Sequence, residues 1–134
     1  MQKQANQNIF FHINKTNDKI FINCDRRQVS RALTNIIQNS AEAIRSENSN
    51  KGNISISVSK DKTKIILIIN DDGPGLPMAL IGKLTEPYVT TRIRGTGLGL
   101  AIVKKIMEDH DGLFTIENNK DAGATDKLTF YLNK

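Results

Sequence analysis

The 134-residue chain contains no tryptophan, one cysteine, two histidines and three prolines. A single cysteine, Cys24, excludes an intramolecular disulfide, a thiolate metal cage and a redox pair, and leaves a small semi-buried thiol as its expected role. Aromatic residues make up only 5% of the chain, so the basic side chains behind its net charge of +5 have no rings interleaved with them for base stacking. Those basic residues are also dispersed, at Arg26, Arg27 and Arg31, at Arg92 and Arg94, and at Lys104 and Lys105. A solvated basic surface with a local phosphate site is the expectation, and nucleic acid is not an expected partner. No segment nears the roughly 18 apolar residues of a membrane helix, and the polar start Met1 to Asn6 leads into no signal-peptide core. A domain placed in the cytosol is therefore expected. The length fits one domain over residues 1–134, with a core from about 8 to 132.

What is present is a run of short periodic segments. Residues 8–14 and 19–23 are β-rich, and the turn-forming Lys15 to Asp18 between them predicts a hairpin. Asp25, with Gln28 three residues on, predicts a capped helix start with a capping-box return bond. The apolar stripe Val29, Leu33, Ile36, Ile37, Ser40 and Ile44 carries that helix to about Arg45. Residues 53–59 alternate as a strand. Residues 64–70 form an almost unbroken apolar run, expected as a central strand buried on both faces. Residues 79–97 have no clean period and read as a lid or binding loop. From Leu98 to about His110 the period is helical again, with Leu98, Ala101, Ile102 and Ile106 inward and Gly112 as the C′ residue. Segments 113–118 and 127–132 predict a last strand pair around Asp121-Ala122-Gly123.

Three motifs carry chemistry. Asn35 and Asn39 lie one helical turn apart, clear of the apolar stripe, and a carboxamide oxygen is a hard neutral ligand suited to Mg²⁺ that takes its other ligands from phosphate and water. Asp71-Asp72-Gly73-Pro74-Gly75 follows the most apolar strand. A carboxylate there can accept from an exocyclic amine, and the glycines let backbone approach a flat ring. Gly95-Thr96-Gly97-Leu98-Gly99-Leu100 runs into a helix N-terminus, where free N–H groups and the helix dipole favour phosphate, with Arg92 and Arg94 just upstream. It lacks the Lys-Ser/Thr ending of a P-loop, and it follows an irregular segment rather than the first strand of a dinucleotide-binding unit.

In this order the three motifs resemble the N, G1 and G2 boxes of histidine-kinase catalytic domains, within the ATP-binding superfamily that also holds gyrase B, Hsp90 and MutL. Leu84 to Arg92 is similar to the F box, although Thr85 stands where the family usually has Phe. Asn39 to Ile44 and Glu86 to Arg92 look most like nitrogen-regulation kinases of the NtrB and NtrY types. The resemblance implies an α+β two-layer sandwich, with a mixed, mainly antiparallel sheet covered on one face by helices. It implies that Asn39 binds Mg²⁺, that Asp71 accepts the adenine amine of ATP, and that Gly73 and Gly75 shape the base pocket. Asn35 would line the phosphate side, Arg92 would contact the γ-phosphate, and Gly95, Thr96, Gly97, Leu98 and Gly99 would form the lid hinge and phosphate cradle.

Superfamily members that hydrolyse ATP with water have a glutamate at the position of Asn35, and an amide takes no proton at neutral pH. Transfer to a nucleophile on another segment is thus expected over hydrolysis, with a water-dependent ATPase and a degenerate nucleotide-binding module as the competing readings. Neither His12 nor His110 sits in a phosphoacceptor context, and Glu42 occupies a position that is lysine in some relatives. The chain is expected to be a monomeric fragment without a catalytic histidine or self-phosphorylation of its own. Its partners would be the missing dimerisation and phosphoacceptor segment and, indirectly, a response regulator, in a parent anchored in the inner membrane.

Overall fold

The computed structural model describes residues 8–14, 19–45, 51–76 and 99–132. In chain order the elements are β1 (Asn8–Ile13), α1 (Arg26–Arg45), β2 (Lys51–Lys60), β3 (Lys64–Asp71), α2 (Gly99–Asp109), β4 (Leu113–Asn118) and β5 (Ala124–Tyr131). The five strands form one sheet in the order β1-β2-β3-β5-β4. β1 runs parallel to β2, and the other three pairings are antiparallel. Both helices pack on one face, as the α+β two-layer sandwich requires.

The expected hairpin at the start does not form. β1 instead pairs with β2, from Asn8 opposite Lys51 to Ile13 opposite Ile56, and the Asn14 N–H extends the ladder to the Ile56 carbonyl at 3.0 Å. Residues 19–25 belong to no strand. Their alternation has another use: Ile20 and Ile22 are half-buried, Ile22 against the core, so the segment is a lead-in laid along apolar surface toward α1. Periodicity reports which side is buried and is silent on which strand is the partner.

α1 begins as its sequence demands. The Asp25 carboxylate accepts the Gln28 N–H at 3.1 Å and its carbonyl accepts the Val29 N–H at 3.0 Å, an N-cap with the first helical bond in place. The return bond from Gln28 is not made; His110 Nε2 accepts the Asp25 N–H instead, at 2.9 Å. The other ring nitrogen, Nδ1, lies 2.8 Å from the Ile106 carbonyl, so the tautomer with the proton on Nδ1 satisfies both. The ring also meets Phe130 edge-on at 6.4 Å between centroids. His110 thus joins the start of α1 to the end of α2 over the sheet.

α2 ends in a Schellman motif, with the Gly112 N–H on the Met107 carbonyl at 2.8 Å and the Asp111 N–H on that of Glu108 at 3.0 Å. The left-handed C′ residue is Asp111, at φ 55°, and not Gly112. Gly112 is small for a different reason: a Cβ there would collide with the Thr129 carbonyl and the end of Met107.

The core joins Val29, Ala32, Ile36, Ala41 and Ile44 of α1 and Val103, Ile106 and Met107 of α2 to Ile54, Ile69, Leu128 and Phe130 of the sheet. Val103 and Met107, rather than Ala101 and Ile102, are the deeply buried residues of α2. β3 is central, yet only its helix-facing side is deeply buried. Ile65 and Ile69 are covered while Ile66 and Ile68 stay half-exposed, because among the described residues no helix covers the second face.

Removing the His110 ring leaves the Asp25 N–H without its acceptor and strips Phe130 of its edge contact. His110→Ala should lower stability by about 1–2 kcal/mol, and Asp25→Ala by about 1 kcal/mol. Urea denaturation midpoints measure both, and an unchanged midpoint for His110→Ala would rule out the clasp.

Candidate functional site

A cleft of about 360 Å³, counting the solvent at its mouth, opens between the two helices and the end of the central strand. α1 contributes Asn39, Ser40 and Ala43, and the first turn of α2 contributes Leu100. The exit from β3 contributes Asp71, Gly75 and Leu76, and the last two strands contribute Ile116, Ala124 and Asp126. Mostly apolar walls with a few polar groups suit a flat heterocycle.

Asp71 is the last residue of β3 and is only 4% exposed. Its Oδ1 accepts the Gly73 N–H at 3.0 Å. Burial pushes its carboxyl up from the ordinary range, while donation by the Gly73 N–H, the Ser40 hydroxyl and the Ala124 N–H pulls it back toward ionisation. Gly73 therefore supports the carboxylate through its backbone, and Gly75 is the glycine that lines the cleft. Gly75 has φ +81°, and a side chain there would press on Asn118 and the Gly123 carbonyl. Asp72 turns away. Its carboxylate accepts the Asn53 N–H at 2.7 Å and the Asn53 amide at 2.8 Å, and Asn53 Oδ1 lies 2.9 Å from His12 Nε2.

Two asparagines absent from the motif reading hold this loop. Asn118 accepts the Leu76 N–H at 2.8 Å and donates to the Leu76 carbonyl at 2.9 Å, clamping one residue of backbone as a strand would. Asn119 donates to Asn70 Oδ1 at 2.6 Å, to the Asp71 carbonyl at 3.1 Å and to the Ala122 carbonyl at 3.0 Å. The Thr125 hydroxyl bonds Asn70 Oδ1 at 2.8 Å and also Asn119 Oδ1. The β4–β5 turn presses so closely on the Asp71 carbonyl that a Cβ on Gly123 would overlap it, which with φ +87° admits only glycine there.

The helical pair of asparagines meets α2. Both are half-buried, the Asn35 amide donates to the Gly99 carbonyl at 3.4 Å, and a side chain on Gly99 would lie 3.9 Å from Asn39 Oδ1. Of the expected site residues, Asn39, Asp71 and Gly75 line the cleft, while Gly73 bonds Asp71 and Gly99 lies against Asn35 and Asn39. Arg92, Gly95, Thr96, Gly97 and Leu98, and the Thr85 to Arg92 stretch, lie outside the described residues.

Asp126 is the cleft residue that motif reading passed over. It faces the helices from β5 and is 6% exposed. Burial and the neighbouring Asp71 push its carboxyl up to about 8. The signal lay in the strand period: Ala124, Asp126, Leu128 and Phe130 share the inward face, and an acid stands among apolar residues. A strand drawn from residue 127 hid it; β5 begins at Ala124. Ser40, a hydroxyl in the apolar stripe of α1, was legible in the same way.

The raised Asp126 makes stability pH-dependent. The folded chain keeps this proton up to about pH 8 while the unfolded chain releases it near 3.8, so the group's contribution is full below about pH 4 and is lost as pH rises toward 8. Asp126→Asn has no proton to lose. It should gain on the native chain steadily between those pH values, by a few kcal/mol in all, and level off above. Denaturation midpoints across this range would show the gap widening; parallel profiles would place the raised carboxyl elsewhere.

Residues 24–134 match the family of histidine kinase-, DNA gyrase B- and HSP90-like ATPases. An NtrY-like sensor histidine kinase of Rickettsia felis is 38% identical over 133 residues, which cover 99% of this chain and 22% of that protein. The nitrogen regulation protein NtrY of Azorhizobium caulinodans is 47% identical over 109 residues, 78% of this chain and 14% of that protein. The chain thus spans about a fifth of the NtrY-like relatives it matches. The nucleotide-free catalytic domain of the histidine kinase ThkA superposes with a TM-score of 0.78 at 31% identity, over 96% of this chain and 82% of that one. With the family matched over most of the chain and the ThkA domain covered over most of its length, this chain belongs to the histidine kinase-, DNA gyrase B- and HSP90-like ATPases, as a histidine kinase catalytic domain.

Proposed function

We propose that the chain binds Mg²⁺-ATP in the cleft and presents the γ-phosphate to a histidine carried by a separate dimerisation segment. The observation that carries this reading is Asp71, a carboxylate buried in the lining of a largely apolar cleft and kept acceptor-competent by three donors. It is suited to take the hydrogen bond of the adenine amine, with Gly75 giving the ring close access. The phosphates would extend toward the first turn of α2, past Asn39 and Asn35. Gly95, Thr96, Gly97 and Leu98, which precede Gly99 in sequence, would cradle them, and Arg92 would meet the γ-phosphate.

Asn39 fits a magnesium site in its chemistry. A half-buried carboxamide beside the glycine that opens α2 offers one hard neutral oxygen and leaves room for phosphate and water ligands. Bound there, Mg²⁺ would neutralise phosphate charge and polarise the bond to be broken. What the chain itself supplies is alignment: it seats the base, orients the phosphate chain along α1 and walls the base end from water.

Asn35 favours transfer over hydrolysis. Its amide is engaged with the Gly99 carbonyl at 3.4 Å and has no basic function with which to orient an attacking water. The nucleophile would come from a dimerisation segment elsewhere in a longer parent, this chain being a single domain over 1–134. The solved complex of ThkA with the response regulator TrrA supports a response regulator as the final acceptor. Among the described residues no helix is long and apolar enough to cross a membrane.

Calorimetric titration with a non-hydrolysable ATP analogue should give micromolar to sub-millimolar binding, roughly 5–8 kcal/mol. Asp71→Asn should weaken it at least tenfold with or without Mg²⁺, by replacing an acceptor with a donor in a buried slot. Asn39→Ala should weaken it only when Mg²⁺ is present. No binding by the native chain would sink the proposal, and steady phosphate release abolished by Asn39→Ala would move the reading to a water-dependent ATPase.

A further inference from the structure

The base end of the cleft holds two carboxyl groups where one would suffice to accept an amine. Asp126 of β5 pairs with Ile69 of β3, so Asp71, two residues further along β3 and on the same face, is its diagonal neighbour across the sheet. Diagonal pairs of this kind stand roughly 7–8 Å apart, within joint reach of one aromatic ring placed over them. Both residues line the cleft, together with the apolar Leu100 and Ile116. Their surroundings differ. Asp71 receives three donors, from Gly73, Ser40 and Ala124, whereas among the described residues no donor is directed at Asp126.

Two carboxylates so placed cannot both stay ionised away from water, and the proton goes to the one without donors. Asp71 is therefore the acceptor and Asp126 the acid, in the same way that an apolar site keeps a carboxylic acid neutral so that it can donate a hydrogen bond. Burial and the Asp71 charge put the Asp126 carboxyl at about 8, which keeps its proton in place at neutral pH. The floor of the cleft thus presents one acceptor and, beside it, one donor.

That pairing matches a particular edge. A 6-aminopurine has an amine flanked on both sides by ring nitrogens, N1 and N7, and each of these is an acceptor. We propose that Asp126 is the second base-recognising group of the site, donating its carboxyl O–H to a ring nitrogen that flanks the amine held by Asp71. The inference rests on the nucleotide reading above and deepens it: Asp71 alone recognises an amino group, whereas the pair recognises an amino group next to an unprotonated ring nitrogen. A site built to hydrogen-bond a ligand atom rejects an analogue that lacks it, because the buried partner is left unmatched.

The test is calorimetric titration of ADP, 1-deaza-ADP and 7-deaza-ADP with Mg²⁺, at mildly acidic pH, into the native chain, Asp126→Asn and Asp126→Val. Each analogue replaces one flanking nitrogen by C–H and keeps the amine. The native chain should bind one of the two about tenfold more weakly than ADP, and which one names the nitrogen. Asp126→Asn keeps a neutral N–H donor and should retain the preference; Asp126→Val should bind ADP and both analogues alike. Exchange of a buried acid for an apolar group of similar size is tolerated by packing, and a thermal melt confirms that both variants fold. Equal affinity of the native chain for all three ligands, or a preference that persists in Asp126→Val, overturns the role of Asp126 while ADP binding lost in Asp71→Asn leaves the nucleotide reading standing. Failure of the native chain to bind ADP overturns both.

Discussion

A carboxylate buried at the end of a central β-strand is costly to desolvate, by several kcal/mol unless donors replace the water it loses. Much of the local architecture around β3 supplies those donors. α1 places a serine where its stripe would otherwise be apolar, the chain turns sharply after Asp71 so that the Gly73 N–H points back, and β5 begins close enough for the Ala124 N–H to reach. The close approach of β5 is possible only because Gly123 has no side chain to collide with the Asp71 carbonyl. On the opposite face of the sheet, Asn119, Asn70 and Thr125 bond one another and the Asp71 backbone, so the strand end is held from both sides. A carboxylate held this firmly loses little further freedom when a ligand arrives, which is the condition under which a buried hydrogen bond contributes most to affinity.

Hydrogen bonds at two separated places tie the described helices that wall the cleft. His110 connects the N-cap of α1 to the end of α2, and Asn35 connects the middle of α1 to the beginning of α2. Val29, Ile36, Val103, Ile106 and Met107 fill the space between and below them. Two separated ties on a packed interface fix the angle between helices as well as their distance. The width of the cleft between Asn39 of α1 and Leu100 of α2 is therefore set by contacts that lie partly outside it, near Asp25 and His110.

The parts of this fold legible in the sequence are those governed by local period and local chemistry: the long helix from Asp25, the apolar strand over 64–70, the second helix, and the placement of Asn39, Asp71 and Gly75 around one site. What escaped was set by distant partners. The choice of β2 over residues 19–23 as the neighbour of β1 depends on pairing across the whole of α1, and the His110 ring takes the N–H that Gln28 was expected to cap from a position 85 residues away. Asp111, rather than the adjacent glycine, accepts the left-handed turn because Gly112 is needed where the Thr129 carbonyl approaches. Asp126 lies between these cases. The strand alternation marks it as inward, but its meaning comes from Asp71, which reaches it only through the β3–β5 pairing.

The same pair of acids orients the ligand under the proposed function. An ionised Asp71 with Asp126 beside it makes the strand end of the cleft hostile to phosphate, whereas the first turn of α2 presents the positive end of an 11-residue helix dipole. The remaining lining is apolar or neutral, with Leu76, Ile116 and Leu100 and the Asn39 carboxamide among it. A nucleotide entering with its base toward Asp71 gains at both ends, and one entering reversed loses at both. Because the low-polarity walls screen these charges poorly, the discrimination operates along the whole slot. The chain's excess of positive charge adds attraction for the anion, but it is the arrangement of acid, amide and helix terminus along one cleft that decides which end of the molecule goes in first.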